Sequence, residues 1–464
     1  MPMATSRRPD RRRSRTVCAL AMAGALIAPV AVPRPVAAFC GFYVAQADAK
    51  LYNHSSQVVI ARDGDRTVVT LANDFRGDVK EFALVVPVPV VLQKDQVHVG
   101  EKAWIEHLDA FSAPRLVEFN DPDPCPHSAE LHVRGGRGGQ IQYMVDGLSA
   151  AVGLKAGVRV EAAFTVDEYD IVILSATESG ALLRWLQGHG YRVPARAQTV
   201  LGIYLKQGLK FFVAKVNLKE QARLGFKSLR PLQMAYESPR FMLPIRLGMV
   251  NADGPQELFV YTLTPHGRVE PVNYRMVKTS AENEVPLYVK PAFSTFARAV
   301  FNRQVAKEGM RTVFLEHAWN AGWCDPCAGP PLGPDELRQL GVSWLGDDAQ
   351  SRGRSLDVIV TRLHARYDAA SFPEDIVFQE TANAEGFQVR YIMRNPFKGD
   401  CNCPQGDAYR RELIARRERQ RDLLASLTGW SASSIGARMA DGDDAYLPAA
   451  YVPPKPWWQK LWAR

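Results

Sequence analysis

The sequence predicts an α+β fold, with mostly antiparallel β regions, inserted short helices and a C-terminal helical segment. Runs of β-branched and apolar residues recur along the chain with turn residues between them, a pattern typical of antiparallel strands. A few segments instead repeat apolar residues at intervals of three and four, which indicates amphipathic helices. After Cys403 the helical pattern takes over. These three observations together indicate the α+β class.

The first 38 residues have the order of segments found in a signal peptide. Six arginines between Arg7 and Arg15 precede an uncharged run over residues 17–32, and Val36-Ala37-Ala38 offers the small residues that signal peptidase requires. The uncharged run is shorter than the roughly 20 residues that span a bilayer, so a signal peptide is favoured over a membrane anchor. We therefore expect export to the periplasm or the exterior, with Phe39 as the first mature residue.

The charge balance argues against a nucleic-acid partner. The chain has 57 basic and 49 acidic residues, but seven of the basic and one of the acidic residues lie in the leader. The remaining 50 basic and 48 acidic residues leave a charge of about +2, too small for phosphate binding. Six of the seven cysteines follow the leader, and an even number in an exported protein predicts three disulfides.

Residues 39–166 form a predicted β-rich N-terminal region, and residues 167–310 form an α+β middle region. In the first we expect a hairpin of strands 58–61 and 67–71 around Asp63-Gly64-Asp65, a strand 82–86 that must end or run along an edge at Pro87 and Pro89, and a helix 103–112. In the second we expect a strand 171–174, a capping box from Ser175 to Glu178, a helix with Leu182, Trp185 and Leu186 on one face, a strand 210–216, and a hairpin of strands 244–250 and 257–263.

Residues 311–404 form a predicted cysteine-containing region, and residues 405–464 form a C-terminal helix with an aromatic tail. Strands are expected over 358–367 and 387–393, followed by a helix 409–427 that Asp407 caps and Gly429 ends. The arginines of this helix, Arg416, Arg417, Arg419 and Arg421, interleave with acidic residues, which favours a solvent-exposed face.

The strongest chemical signal is Trp323-Cys324-Asp325-Pro326-Cys327, which resembles the thioredoxin motif with Asp325 in place of glycine. A redox-active pair would use Cys324 as the nucleophile and Cys327 as the resolving thiol. However, the glycines and prolines from Gly329 to Pro334 interrupt the helix that normally stabilises such a thiolate, and Asp325 should raise the thiol pKa. A thiol-disulfide oxidoreductase is therefore the alternative function.

The cysteines are better explained as structural, although their pairing stays open. Cys401 and Cys403 are too close in sequence for an unstrained mutual bond, so either they pair with Cys324 and Cys327 or these two bond to each other. Elimination then pairs Cys40 with Cys125. A zinc site built from the four C-terminal thiols is a further alternative.

We expect no metal or cofactor. A second metal candidate, the loop with Asp121, Asp123, Cys125 and His127, is better explained as a rigid Pro-rich connector whose aspartates face water.

The aromatic tail combines tryptophans with basic residues. Trp457, Trp458, Leu461 and Trp462 share one side of a short predicted helix, with Lys455, Lys460 and Arg464 nearby. Such a surface suits peripheral contact with a membrane, and docking onto the body or onto a partner protein explains the same residues.

Four stretches form a set that resembles the bacterial domain of unknown function 2330, a family of exported proteins, over residues 39–439. They are Ala38-Phe39-Cys40-Gly41-Phe42-Tyr43-Val44 with Ala49-Lys50-Leu51-Tyr52-Asn53, the segment 82–89, Trp323 to Cys327, and the segment 372–381. The resemblance implies location and extent rather than chemistry. Our lead hypothesis is thus a noncatalytic, disulfide-stabilised binding or assembly protein of the cell envelope or exterior, with an envelope or extracellular protein as its partner.

Overall fold

The computed structural model describes most of the chain after the predicted leader. The described residues are 42–45, 52–76, 82–125, 157–194, 196–225, 229–252, 254–325, 329–346 and 356–453, with Pro456 and Gln459. Among them, no helix is both long and apolar enough to cross a membrane.

The first half of the described chain consists mainly of strands. They are Phe42–Ala45 (β1), Tyr52–Asp63 (β2), Arg66–Arg76 (β3), Phe82–Val88 (β4), Val97–Val99 (β5), Arg115–Asn120 (β6), Val158–Val166 (β7), Tyr169–Ala176 (β8), Lys210–Val216 (β9), Leu232–Glu237 (β10), Met242–Leu243 (β11) and Gln256–Thr264 (β12). Four helices lie between them: Lys102–Ser112 (α1), Ser179–Gly188 (α2), Ala197–Lys206 (α3) and Leu218–Arg223 (α4).

The second half begins with strands and ends with helices. Its strands are Val269–Pro271 (β13), Arg275–Lys278 (β14), Asn283–Glu284 (β15), Thr312–Asn320 (β16), Ile359–Tyr367 (β17), Ile376–Glu380 (β18), Phe387–Gln388 (β19) and Arg390–Asn395 (β20). Its helices are Phe293–Glu308 (α5), Pro334–Gln339 (α6), Pro404–Thr428 (α7) and Ala432–Met439 (α8).

Within the described residues the strands form two large and two small sheets. The five-stranded sheet has the order β1-β4-β9-β8-β7, and the nine-stranded sheet has the order β14-β16-β17-β12-β2-β3-β10-β5 with β19 beside β16. The small sheets are β11-β18-β13 and β15-β20-β6. Most pairs are antiparallel, but β2 with β12, β14 with β16, and both pairs of the β15-β20-β6 sheet are parallel. Mixed sheets with eight described helices confirm the predicted α+β class.

The two large sheets face each other across the main apolar core. Alternate residues explain this arrangement: Phe82 and Leu84 of β4 and Val58 and Ile60 of β2 point into that core. Ala83 points to the opposite side, where α2 and α3 pack, and Val59 and Ala61 of β2 point towards α1 and α6. Strands buried on both faces are apolar almost throughout, which is why 82–86 appears as an uninterrupted apolar run.

Several elements agree closely with the sequence predictions. The hairpin of β2 and β3 turns at Gly64, whose φ of 57° is the left-handed conformation that glycine tolerates. Strand β9 covers the predicted residues, and α1 contains the predicted helix with Leu108 and Phe111 buried. The long helix α7 ends at Gly429 as expected, but it begins at Pro404, so Cys403 and not Asp407 is its N-cap. The large sheets draw strands from several of the predicted regions, whose boundaries stay a prediction.

Strand β4 continues through Pro87 to Val88, but β1 pairs only with residues 82–85, so among the described strands this end of β4 has β9 alone as its neighbour, as the edge alternative expected. Two other local predictions are wrong. Ser175 lies in β8 and donates to Glu161, so it caps no helix. The expected strand 244–250 is mostly irregular, and β12 pairs with β17 and β2 instead of with it.

Candidate functional site

The structure corrects the predicted cysteine pairing. Cys125 and Cys403 form a disulfide with a Cα–Cα distance of 6.1 Å, across 278 residues of sequence. The pairing of Cys40 with Cys125 is therefore wrong, and so is a bond from Cys403 to Cys324 or Cys327. Parallel pairing of β6 with β20 explains the correction, because it brings the end of β6 close to the start of α7. Cys40 and Cys327 lie outside the described residues.

In the described part of the chain Cys401 is a free, buried thiol, which contradicts its predicted structural bond. Its Sγ lies 3.6 Å from the carbonyl oxygen of Gly399. Burial raises the pKa of this thiol, and the carboxylates of Asp123 and Asp400 raise it further. Cys401 is thus protonated at neutral pH and lies two residues before a disulfide-bonded cysteine.

Cys324 is disulfide-bonded and partly buried just after β16, next to the exposed Trp323. The only helix described between Gly329 and Gly346 is α6, which has six residues and begins at Pro334. The expected interruption of a long helix is therefore present in this part of the chain. Redox activity of Cys324 with Cys327 stays a prediction.

The loop after β6 uses its first aspartate structurally. Asp121 is buried and accepts hydrogen bonds from the hydroxyl of Tyr409 at 2.7 Å and from the Nη1 of Arg416 at 2.7 Å. The prediction that both aspartates face water is wrong for Asp121, whereas Asp123 is exposed and accepts the Cys125 N–H at 2.8 Å. His127 lies outside the described residues, among which no group of three His, Cys, Asp or Glu side chains is placed to hold a metal ion.

The arginines of α7 divide between the interior and the solvent. Arg416 binds the buried Asp121, and Arg417 donates to the carbonyl oxygen of Tyr446. Arg419 pairs with Glu412 and is exposed. The expected solvent-exposed face is therefore wrong for Arg416 and Arg417, which fasten the helix to the end of β6 and to the segment after α8.

A buried network of charged side chains, which the sequence analysis did not identify, lies between the nine-stranded sheet and α1. Glu316 is central: its Oε2 accepts from the Nε of Arg362 at 2.7 Å, and its Oε1 lies 2.9 Å from the Nδ1 of His364. Arg362 also donates to the Oδ1 of Asp109 at 2.6 Å, and the Tyr261 hydroxyl donates to the same carboxylate. Glu316, Arg362 and His364 are each about 5% exposed.

A β-bulge brings these side chains together. In the β16–β17 pair, Leu315 is opposite Leu363 and His317 is opposite Arg362, so Glu316 is the extra residue. Such a bulge redirects side chains and places consecutive residues on one face of the sheet. Arg362 and His364 are two residues apart on β17, so their side chains lie on the same face of the sheet. This spacing is the sequence signal by which the pair could have been found.

Strong electrostatic coupling keeps Glu316 ionised. Burial alone would raise the pKa of Glu316, but His364 and Arg362 outweigh it and lower the pKa to about 2. The imidazole of His364 is stacked between two rings, with centroid distances of 3.5 Å to Phe301 and 4.0 Å to Phe259. A carboxylate–imidazole pair can orient a catalytic base, but rings cover both faces of this imidazole. The contacts of the network connect β12, β16, β17, α1 and α5, so its role is to hold these elements together.

His317 and Gln388 lie opposite each other in the β16–β19 pair. Both are buried, and within the described residues neither ring nitrogen of His317 nor either amide atom of Gln388 has a hydrogen-bond partner. Burial lowers the pKa of His317 far below its usual range, and Arg115 and Arg362 lower it further, so the ring is neutral.

A cleft of about 510 Å³ opens beside the edge strand β5. Asp95, His98, Gln233 and Arg338 are among the residues that line it. Arg338 is held by Asp335 at 2.9 Å and by the Gly346 carbonyl at 2.6 Å. The volume suits a small ligand, and the protein itself already engages the guanidinium group.

Comparison with known proteins identifies a family. The chain matches the sequence profile of a family described as an uncharacterized protein conserved in bacteria (DUF2330) over residues 34–379. No curated protein and no solved structure matches it. The match ends earlier than the expected residue 439, so Cys125 lies within it and Cys403 beyond it. The family suggested by the four sequence stretches is confirmed, and the chain belongs to the DUF2330 family of bacterial proteins.

Proposed function

We propose that the chain is an exported bacterial protein that acts through binding or assembly in the cell envelope or exterior, without catalysis. The Cys125–Cys403 disulfide is the observation that carries this proposal. Disulfides persist in oxidising compartments and are rare in the reducing cytoplasm. The signal-peptide pattern of residues 1–38 agrees with such a location.

A partly exposed face of β6 and β20 supports a protein partner. Phe119 is 45% exposed, and the guanidinium of Arg394 lies over its ring at 5.4 Å. Two residues before Arg394 along the same face, Ile392 is partly exposed. Arg390, two residues before Ile392, lies on the same face and donates to the carbonyl oxygen of Asp325. Asp325 is two residues after Trp323, which is 38% exposed. Aromatic residues and arginine are enriched where proteins bind one another.

The aromatic tail remains a second expected contact. The segment before it lies along α7: the N–H of Tyr451 donates to Asp407 at 2.8 Å, and that of Val452 donates to Asn402 at 3.3 Å. Trp457, Trp458, Leu461 and Trp462 lie outside the described residues, and their peripheral contact with a membrane is part of the proposal.

Export and oxidation are tested together. The full chain and a control lacking residues 1–38 are expressed in a bacterial host, and each cell fraction is alkylated and mapped without reduction. We expect the full chain outside the cytoplasm with Cys125 bonded to Cys403, and the control inside with reduced thiols. A full-length chain that stays in the cytoplasm with free Cys125 would contradict the proposal.

Binding and catalysis are then separated. Phe119→Ser should abolish the cross-linked complexes that the exported protein forms, whereas Val160→Ser, at an equally exposed valine of β7, should retain them. Purified protein should not accelerate disulfide exchange in a model substrate. Exchange that Cys324→Ser abolishes without loss of folding would instead establish the oxidoreductase.

A further inference from the structure

Three cysteines meet at the start of α7. Cys125 and Cys403 are bonded, and Cys401, which is free within the described part of the chain, lies two residues before Cys403. The N–H of Cys403 donates to the carbonyl oxygen of Cys401 at 2.8 Å. The carboxylate of Asp123 acts electrostatically on the Cys401 thiol and accepts the Cys125 N–H. A free thiol and a disulfide therefore share one small site.

Gly406 keeps Cys401 close to the first turn of α7. A Cβ atom on this glycine would lie 1.9 Å from the carbonyl oxygen of Cys401 and 3.1 Å from its Cβ. The same Gly406 donates its N–H to the Sγ of Cys403 at 3.3 Å. Cys401 and Cys403 are thus both placed against one residue, whose lack of a side chain allows the contact.

The two sulfurs of the disulfide differ as leaving groups. Cys403 is the N-cap of the 25-residue helix α7, and its sulfur accepts a helix N–H. Helix N-termini stabilise thiolates through the helix dipole and through free N–H groups, so a thiolate at Cys403 is the favoured product of attack on this bond. The low pKa of a leaving thiol speeds exchange.

We propose that Cys401 exchanges with the Cys125–Cys403 disulfide and thereby transfers the free thiol to Cys403. The Cys401 thiolate attacks the Sγ of Cys125, a Cys125–Cys401 bond forms, and the bond to Cys403 breaks. Cys403 leaves as a thiolate and takes up the proton that Cys401 released. The number of disulfides is unchanged, and no external oxidant or reductant takes part.

The exchange changes which thiol is accessible. Cys401 is buried, whereas Cys403 is partly exposed. The product therefore presents a thiol at the start of α7 that can be modified by electrophiles or by a disulfide-bearing partner. The exchange goes beyond the proposed binding function. It depends only on the disulfide being formed, and not on where in the cell the protein is located.

The test uses purified, oxidised full-length protein without added redox reagents. Samples are incubated at neutral and at alkaline pH, quenched with acid, alkylated with N-ethylmaleimide and mapped without reduction. We expect the label on Cys403 to grow with time, together with a Cys125–Cys401 peptide, and to grow faster at alkaline pH because Cys401 must lose its proton. Asp123→Asn should accelerate the exchange several-fold by lowering the pKa of Cys401.

Cys401→Ser provides the control, since it keeps the native bond and should show no transfer at any pH. Label that remains on Cys401 at every pH and time would overturn the proposal. A native bond between Cys401 and Cys40, or any other cysteine, would overturn it as well. The cell-fractionation experiment tests where the protein is located, whereas this peptide mapping tests which cysteine carries the free thiol. The failure of one proposal can therefore be distinguished from the failure of the other.

Discussion

Glu316→Gln tests the buried charge network directly. The change keeps the shape of the side chain but removes the charge that faces Arg362 and His364. Removing one partner of a buried ion pair typically destabilises a protein by about 3–5 kcal/mol, because the remaining charge is left uncompensated. Arg362 retains Asp109 in the variant, so we expect a loss near the lower end, about 3 kcal/mol.

The pKa of Glu316 gives an independent magnitude with a defined sign. Folding lowers this pKa from 4.5 to about 2, and such a shift corresponds to roughly 3 kcal/mol. A lowered pKa means that the stabilisation is complete above the unfolded-state pKa of about 4.5 and is lost as the pH falls towards about 2. The wild type should therefore lose stability steeply in this window, and Glu316→Gln should lose less.

The measurement is urea unfolding followed by tryptophan fluorescence from neutral pH down to the acid window. Glu385→Gln is the matched control, because Glu385 is 67% exposed and pairs with Lys278 at the surface. That change should alter stability by less than about 1 kcal/mol. If Glu316→Gln and wild type show parallel pH dependence, or if both variants behave alike, the network does not contribute as inferred.

Three further outcomes are expected. Gly406→Ala should destabilise the protein by about 1–3 kcal/mol, since the new Cβ meets the Cys401 carbonyl at 1.9 Å, whereas Gly188→Ala, with nothing within 4 Å, should be neutral or slightly stabilising in the same urea assay. Cys125→Ser should lower the free energy of unfolding by up to about 5 kcal/mol, because it opens a loop of 278 residues, and an unchanged urea midpoint would contradict this. Intact-mass analysis of exported protein should find Phe39 first, and a retained leader would refute the predicted cleavage.

Helices and strands with a clear period were predictable because a few neighbouring residues determine them. Strand β9 and helix α1 follow from local apolar patterns, and Gly429 ends α7 through its left-handed conformation, with φ at 76°. Ser175 shows the limit of such motifs. Its spacing to Glu178 satisfies a capping box, but pairing with Arg159 of β7 keeps Ser175 in strand β8.

The candidate site was much less predictable. Arg362 and His364 lie two residues apart on one face of β17. Their partner Glu316 is the extra residue of a bulge in β16, which no short sequence motif indicates. Asp121 looked like a solvent-exposed loop residue, and only the approach of α7 buries it against Arg416. In each case the partner comes from an element far away in sequence.

By itself, the sequence determined the α+β class, the family, the leader pattern and the elements whose periodicity lies within one segment. Only the tertiary structure decided that Cys125 bonds Cys403, that Cys401 stays free, and that Glu316 faces His364. The physical reason is the range of the interactions. Helix and strand preferences depend on neighbours a few residues away, whereas a disulfide or a buried ion pair forms only where the packing of whole sheets and helices brings distant residues within bonding distance.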